Sequence, residues 1–529
     1  MPKKKAKSTR GKPKRHPTKS KELGSARGPS LRISPRLGLL FSIFALAVAF
    51  SELMANGETS LYILFFVLGL LILLPNTIWA LFKWTNPFVV PYILTMVRTH
   101  HFVKTLQSIA SWGKIWEKVC IVGLFLGFGL AGVDYWVARE KGGWKRIAIL
   151  LVSSVALFFV LWGVSLLMMP RIPALFEPLI GISIISFILL GFGGLSLAFM
   201  MGYGFMAVNA LLTGQNICPS VAPVIPGVPI PGFGVAIPLI AWISLGLILI
   251  IHEGSHGIMM AYYKTKIRSV GLLLAGIFPM GAFVEQDDKQ FAKMDDKQRS
   301  LILSAGPSFN FLTVPFAIIL MLGVGLVAAP MINPINEQMY SGVKVSNVEE
   351  VVGYCGDERV APALGNFEAG DIIVSMNGTN VESINDLQST VFAMDMQEFA
   401  VLRDGKEVDV NVLPAHFETI GISRMGVGFE AIRTDYQPWL GFETFRFFIT
   451  SLLTVLNLLW ILSLAVGMFN FLPSDPLDGG RIAKSVLRPY FGFMDMGKKE
   501  TELLIGRLFM WVFLLAILLN LIPYITIFT

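Results

Sequence analysis

Residues 252–256 read His-Glu-Gly-Ser-His, an H-E-x-x-H pattern set inside a long apolar run. On a helix, His252 and His256 project from one face, four residues apart, spaced to hold one Zn2+. Glu253 stands beside them, where it can take a proton from an attacking water. The approach from Gly234 to Ile251 carries no charge. Two histidines and a carboxylate in such a setting are expensive, so a chemical role is the expectation. The role these residue types suit is hydrolysis of a peptide bond within a membrane.

Composition says what must position them. Apolar residues make up 54% of the 529-residue chain and charged residues only 15%, and the mean hydropathy is +0.64. A soluble domain carries about 25% charged residues, so most of this chain must face lipid or pack in a bundle. The net charge of +7 is misleading as a global figure. Residues 1–36 hold thirteen Lys/Arg against one acid, Glu22, which leaves 30 basic and 35 acidic residues elsewhere. That tail reads as a disordered, basic cytoplasmic segment that sets orientation against anionic lipid, and no nucleic acid is expected as a partner. It is too long and basic for a signal-peptide n-region, so the first apolar segment reads as a retained span.

Runs of about 20 apolar residues mark membrane spans. They lie near 37–55, 61–82, 119–138, 147–169, 179–201, 234–262, 299–330, 444–471 and 503–528. The expected fold is therefore a polytopic α-helical membrane protein of about nine spans with a small α/β soluble insert. Its parts are the tail 1–36, N-terminal spans 37–201, a Pro/Gly-rich external loop 202–233, a core 234–330 around the motif, the insert 340–432, and C-terminal core spans 444–528. With the N-terminus in the cytoplasm, the basic loop 83–118, Lys264, Lys266 and Arg268, and Arg481, Lys484 and Arg488 all fall inside. One loop breaks the rule: Arg139, Lys141, Lys145 and Arg146 would lie outside. Either that segment does not fully cross or the count is wrong there.

The insert holds strand Ile372–Met376 running into an Asn377-Gly378 turn, a strong hairpin signal. Its G-D-x-I segment, N-G turn and later D-L pair resemble a PDZ domain, which binds peptide by strand addition. The carboxylate-binding loop of such domains is poorly matched around Ser341-Gly342-Val343, and a lid or size filter is the equal reading. Cys120, Cys218 and Cys355 form no C-x-x-C pair, and nothing in the sequence requires a bridge between Cys218 and Cys355. His16, His100, His101 and His416 are not within ligand spacing of the motif. A catalytic zinc site commonly takes three protein ligands. The best third one is Asp478, where Pro473, Pro476, Gly479 and Gly480 break an apolar helix at membrane depth. Asp475 is its rival on chemistry alone.

H-E-x-x-H in one span, followed by Asn470-x-x-Pro473-x-x-x-Leu477-Asp478-Gly479 in a later one, resembles the site-2 protease family of intramembrane zinc metalloproteases, peptidase family M50-like. Gly306-Pro307-x-x-Asn310 resembles that family's G-P-x-x-N element, and Gly281-Ala-Phe283-Val284 its re-entrant hairpin. The resemblance covers roughly residues 225–500. It implies His252, His256 and Asp478 as Zn2+ ligands and Glu253 as general base. Asn470 is then expected to position substrate or stabilise the oxyanion, with Asn310 second. Gly281 and Phe283 are expected to meet an unwound substrate. The partners implied are transmembrane protein substrates, the lipid bilayer and a peptide ligand of the PDZ-like domain. The implied setting is regulated intramembrane proteolysis in the cell membrane, with the PDZ-like domain outside. The alternative is a proteolytically inactive membrane receptor binding peptides through its PDZ-like domain, against which the intact Glu253 argues. A metal-ion transporter is disfavoured because no internal repeat is visible.

Overall fold

The apolar runs fold as helices because a backbone in hydrocarbon has no water to bond and must satisfy its N–H and C=O groups within itself. The computed structural model describes residues 40–48, 66–74, 77, 88–90, 94–99, 101–168, 177–219, 225–228, 236–355, 357–384, 386–387, 394–417 and 422–524. Among the described residues, seven helices are long and apolar enough to cross a membrane: Ile115–Lys141, Gly143–Ser165, Leu179–Thr213, Ala241–Tyr262, Asp296–Met339, Phe442–Asn470 and Lys498–Tyr524. The chain is thus a polytopic membrane protein with a separate sheet-rich region. The tail 1–36 lies outside the described residues, and 37–55, 61–82 and 202–233 lie only partly within them.

Two compact units divide the chain. The smaller comprises residues 1–96 with 275–277. It holds a helix over 40–48, π-helical turns Val67–Leu73 whose Gly69 abuts Ala45 and Leu46, and strand β1 (Phe88–Val90). Strand β1 pairs antiparallel with the start of β2 (Leu94–Thr99).

The larger unit begins with α1 (His101–Ala110) and α2 (Ile115–Val133), the latter continuing to Lys141. Next come α3 (Gly143–Met168) and α4 (Glu177–Thr213). Two of these helices reverse direction. In α2, Gly129 takes φ 53° and ψ −138°, and in α4, Gly191 takes φ 59° and ψ −153°, a region glycine enters without penalty. Residues eight apart in a straight helix stand roughly 12 Å apart, yet a Cβ on Gly132 would lie 2.7 Å from the Leu124 carbonyl oxygen. Leu179 and Gly202 would be separated by roughly 35 Å of straight helix, yet a Cβ on Gly202 would meet Leu179 Cδ2 at 2.5 Å. Each helix is therefore a hairpin of two helical arms. The apolar stretches 119–138 and 179–201 each contain one of these reversals: apolarity is the same along both arms, and a glycine backbone turns each of them.

The first hairpin also carries the loop that broke the charge rule. Its returning arm ends beside the start of α7 (Asp296–Met339): Lys297 Nζ donates to the Trp136 carbonyl at 3.2 Å and pairs with Glu140. Arg139, Lys141 and Arg146 thus share an end of the bundle with Asp296. Asp134 is buried there and accepts from Arg139 (2.7 Å), Arg146 (2.7 and 2.8 Å) and the Tyr490 hydroxyl (2.8 Å). Removing one member of such a cluster strands the rest. Asp134→Ala is expected to cost about 2 kcal/mol, since both arginines are partly exposed, read by denaturant unfolding in mixed micelles. An unchanged midpoint would refute it.

The remaining elements surround the motif. Helix α5 (Ala241–Tyr262) is followed by β3 (Ile267–Ala275) and β4 (Phe278–Gln286), neighbours in one sheet with β4 last in its order. Short α6 (Asp288–Lys293) leads into α7, and α8 (Phe442–Asn470), α9 (Asp478–Leu487) and α10 (Lys498–Asn520) complete the bundle. Between α7 and α8 lies the sheet-rich domain. Its main sheet has the order β11 (Lys406–Val412), β10 (Gln397–Arg403), β8 (Ile372–Met376), β5 (Tyr340–Val348), β14 (Val427–Arg433), and two-stranded sheets pair β6 (Val351–Tyr354) with β7 (Asp357–Val360) and β12 (Ala415–Phe417) with β13 (Ile422–Arg424). Asn377 and Gly378 both take positive φ and join β8 to β9 (Thr379–Asn380), the expected hairpin. Burial opposes the charge on Asp371, but Arg403 donates to it at 2.6 and 2.8 Å and holds its carboxyl below the ordinary range. That stabilisation is present above the usual carboxylate pKa and is lost as pH falls through the lowered one. Cys218, after α4, is disulfide-bonded to Cys355 of this domain, a pairing the sequence did not require.

Candidate metal centre

His252 and His256 lie on the buried face of α5, four residues apart as helix geometry demands. The third component arrives from a break. Pro473 and Pro476 cannot continue α8, and the chain coils tightly before α9 starts at Asp478, an acidic residue at a helix N-terminus. The coil is tight enough that a Cβ on Gly479 would lie 2.3 Å from the Phe471 carbonyl oxygen, and one on Gly480 2.3 Å from the Ser474 carbonyl carbon. Asp478 Oδ2 ends 3.3 Å from His252 Nε2 and 3.2 Å from His256 Nε2. All three ligand atoms lie within 4.8 Å of one another. The rival Asp475 is turned away, paired with Lys484 Nζ at 2.5 Å.

Three observations test whether this set fits a metal ion. Tetrahedral ligands about 2.1 Å from one ion stand roughly 3.4 Å apart, close to the spacing seen. His256 Nδ1 lies 2.7 Å from the Ile302 carbonyl, which only accepts, so Nδ1 carries the proton and Nε2 of the neutral ring turns a lone pair toward the carboxylate. In that neutral state two acceptors face each other, an arrangement that a metal cation between them would satisfy. Finally, α7 passes the ring nitrogens at Gly306, where a Cβ would lie 2.5 Å from both His252 Nε2 and His256 Nε2. Glycine keeps that space open, and the residues fit Zn2+.

Asn310 completes the orientation. It is fully buried, with Nδ2 at 3.0 Å from His252 Nδ1 and Oδ1 lacking a partner among the described residues. Rotating the amide by half a turn places Oδ1 on Nδ1–H instead, satisfying the orphaned oxygen and freeing His252 Nε2 as an acceptor. Asn310 thus contacts the ring of a candidate ligand, His252. Outer-sphere partners of this type are worth about 10- to 100-fold in metal affinity. Asn310→Leu is expected to weaken zinc binding by that factor in chelator competition, and wild-type affinity would refute the role.

A cleft of about 330 Å³ opens beside the three ligands, lined by Glu253, His256, Val284, Glu285, Asp478 and Arg481 among others. Glu253 therefore shares a space with the ligands that water can enter. The end of β4 forms one wall. Of the hairpin residues, Gly281 packs on Leu273 and the Phe283 ring lies against Gly271 and under Arg98 (6.0 Å), while Val284, Glu285 and Gln286 line the cleft. Asn470 donates from Nδ2 to the Val466 carbonyl one turn back, at 3.0 Å. Sequence reasoning missed Gly306 as a spacer, although its G-P-x-x-N context was visible. It also missed the Ile302 carbonyl, which no residue type announces.

A family model described as "Peptidase family M50" matches residues 240–515, from the start of α5 into α10. The chain belongs to peptidase family M50. The matched stretch of this M50 chain carries His252, Glu253, His256, Gly306, Asn310 and Asp478, and leaves out both helical hairpins. Over 251 residues the chain is 28% identical to an uncharacterized protein of Methanocaldococcus jannaschii, covering 47% of this chain and 57% of that one. Over 283 residues it is 25% identical to a protein named "Putative zinc metalloprotease SAS1196" of Staphylococcus aureus, covering 44% and 61%. The chain thus spans about three-fifths of the length of the curated relatives it matches.

Proposed function

We propose that this chain is a zinc-dependent endopeptidase of the site-2 protease type, hydrolysing peptide bonds within or near transmembrane segments of membrane-anchored substrates. The observation that carries this is the meeting of His252, His256 and Asp478 beside Glu253 in a cleft among apolar helices. Zinc, when held by these three residues, supplies Lewis-acid polarisation of the scissile carbonyl and of water. Glu253 takes the proton from the attacking water and returns it to the leaving amine. Ile302 and Asn310 fix the imidazole tautomers, so no reorganisation of the rings is needed during turnover.

A transmembrane substrate is a helix whose amides are internally bonded, so it must unwind before attack. Strand β4 supports the way it is held: it is last in its sheet, and its end walls the cleft, so an extended peptide can pair along it. Orientation follows from charge and redox state. The end bearing Arg139, Arg146, Lys264, Lys266 and Arg488 is read as cytoplasmic. The Cys218–Cys355 end, with the PDZ-like domain, is read as external, where disulfides persist. The experiment is incubation of the purified chain in detergent with a single-span substrate, fragments being identified by mass spectrometry. Cleavage inside the span that chelator abolishes is the expected result. Zinc-loaded protein that cuts no member of a panel of single-span substrates would overturn the reading.

A further inference from the structure

The two helical hairpins lie outside the stretch that marks the family, yet they meet the loop that delivers Asp478. Their tips touch each other. A Cβ on Gly129 would lie 2.5 Å from the Ile188 carbonyl oxygen, and one on Gly191 2.1 Å from the Leu126 carbonyl oxygen. From this junction two further glycines face Phe471, the residue that follows α8. A Cβ on Gly193 would lie 2.2 Å from the Phe471 carbonyl oxygen, and one on Gly127 2.3 Å from the Phe471 ring. Gly479 packs on that same carbonyl, where a Cβ would lie 2.3 Å from its oxygen. Gly479 is bonded to Asp478. The backbone of Phe471 is thus held between the hairpin tips and the ligand-bearing turn, and its fully buried ring sits edge-on to Phe128 and tilted against Phe311.

We propose that the paired hairpin tips are a positioning platform for the third zinc ligand, with Gly193 and Gly127 as positioning residues that set the height of Phe471 and through it the reach of Asp478. Interiors transmit strain because they are packed without voids, so a methyl group inserted at Gly193 must displace the Phe471 backbone on which Gly479 packs. The helical arms then serve zinc binding as well as membrane anchorage. The inference rests on the metal-centre reading given above.

The test uses the full-length chain in detergent, zinc affinity by chelator competition, and Co2+ absorption as a signature of ligand geometry. Gly193→Ala is compared with Gly181→Ala, a control in the same helix where a Cβ meets nothing within 4 Å. The expected result is a tenfold or greater loss of zinc affinity and an altered Co2+ spectrum for Gly193→Ala, with wild-type values for Gly181→Ala and an apo melting temperature close to wild type. Wild-type affinity and spectrum in a folded Gly193→Ala would overturn the proposal. Where that variant does not fold, Gly127→Ala decides, because its clash is with a side chain. Weakened zinc binding restored by adding Phe471→Leu supports the platform, and unchanged affinity or failed rescue overturns it. Wild type that binds no zinc would instead overturn the metal-centre reading itself.

Discussion

Glu253→Gln is expected to lower the rate of peptide cleavage by about a thousandfold while leaving zinc affinity unchanged. The substitution keeps the shape of the side chain and removes only its capacity to accept a proton. Glu253 lines the cleft but is absent from the ligand cluster of His252, His256 and Asp478, so metal binding and catalysis should separate at this position. Single-turnover cleavage of a single-span peptide, with zinc quantified in the same sample, measures both. Retention of more than about a tenth of wild-type activity would remove Glu253 from the role of base.

Asp478→Ala is expected to lower zinc affinity by well over a hundredfold, since outer-sphere changes alone are worth about 10- to 100-fold. The loss should be local. Asp478 is the only member of the ligand cluster that does not come from α5, and the nearby Asp475 cannot replace it while Lys484 holds it at 2.5 Å. The two imidazoles keep their tautomers through Ile302 and Asn310 and would remain a two-ligand site. Equilibrium dialysis with zinc is the measurement. Stoichiometric binding at wild-type affinity would show that the three-residue centre is wrongly assigned.

The chemistry was legible in the sequence because it depends on local spacing and on polar residues that have no other reason to be in apolar surroundings. His252, Glu253, His256 and Asp478 stand out on those grounds, and the structure brings the three expected ligands together. Glycine 306 was readable only as part of a motif, because its function is the absence of an atom facing two rings. The path of the bundle was less legible. Residues 119–138 and 179–201 have the apolarity of straight spans, and the reversals at Gly129 and Gly191 depend on backbone angles that neighbouring glycines, such as Gly127 or Gly193, do not adopt. The misplaced charges at Arg139 and Arg146 were the single outward sign of the first reversal. Asn470 stands near the end of α8 with its amide nitrogen bonded to its own helix, a local contact the sequence does not announce.

The bond between Cys218 and Cys355 closes residues 218–355 into a macrocycle. His252, Glu253, His256, Gly306 and Asn310 are carried on this ring, and Asp478 is not. One strand of backbone joins the ring to the ligand outside it, and it runs through the largely exposed segment between Arg433 and Phe442. A nick in that segment would leave the C-terminal piece attached only by packing of α8 to α10 against their neighbours. In topological terms the candidate centre is a two-component assembly, a cyclised half bearing Glu253 and two members of the ligand cluster and a linear half bearing Asp478.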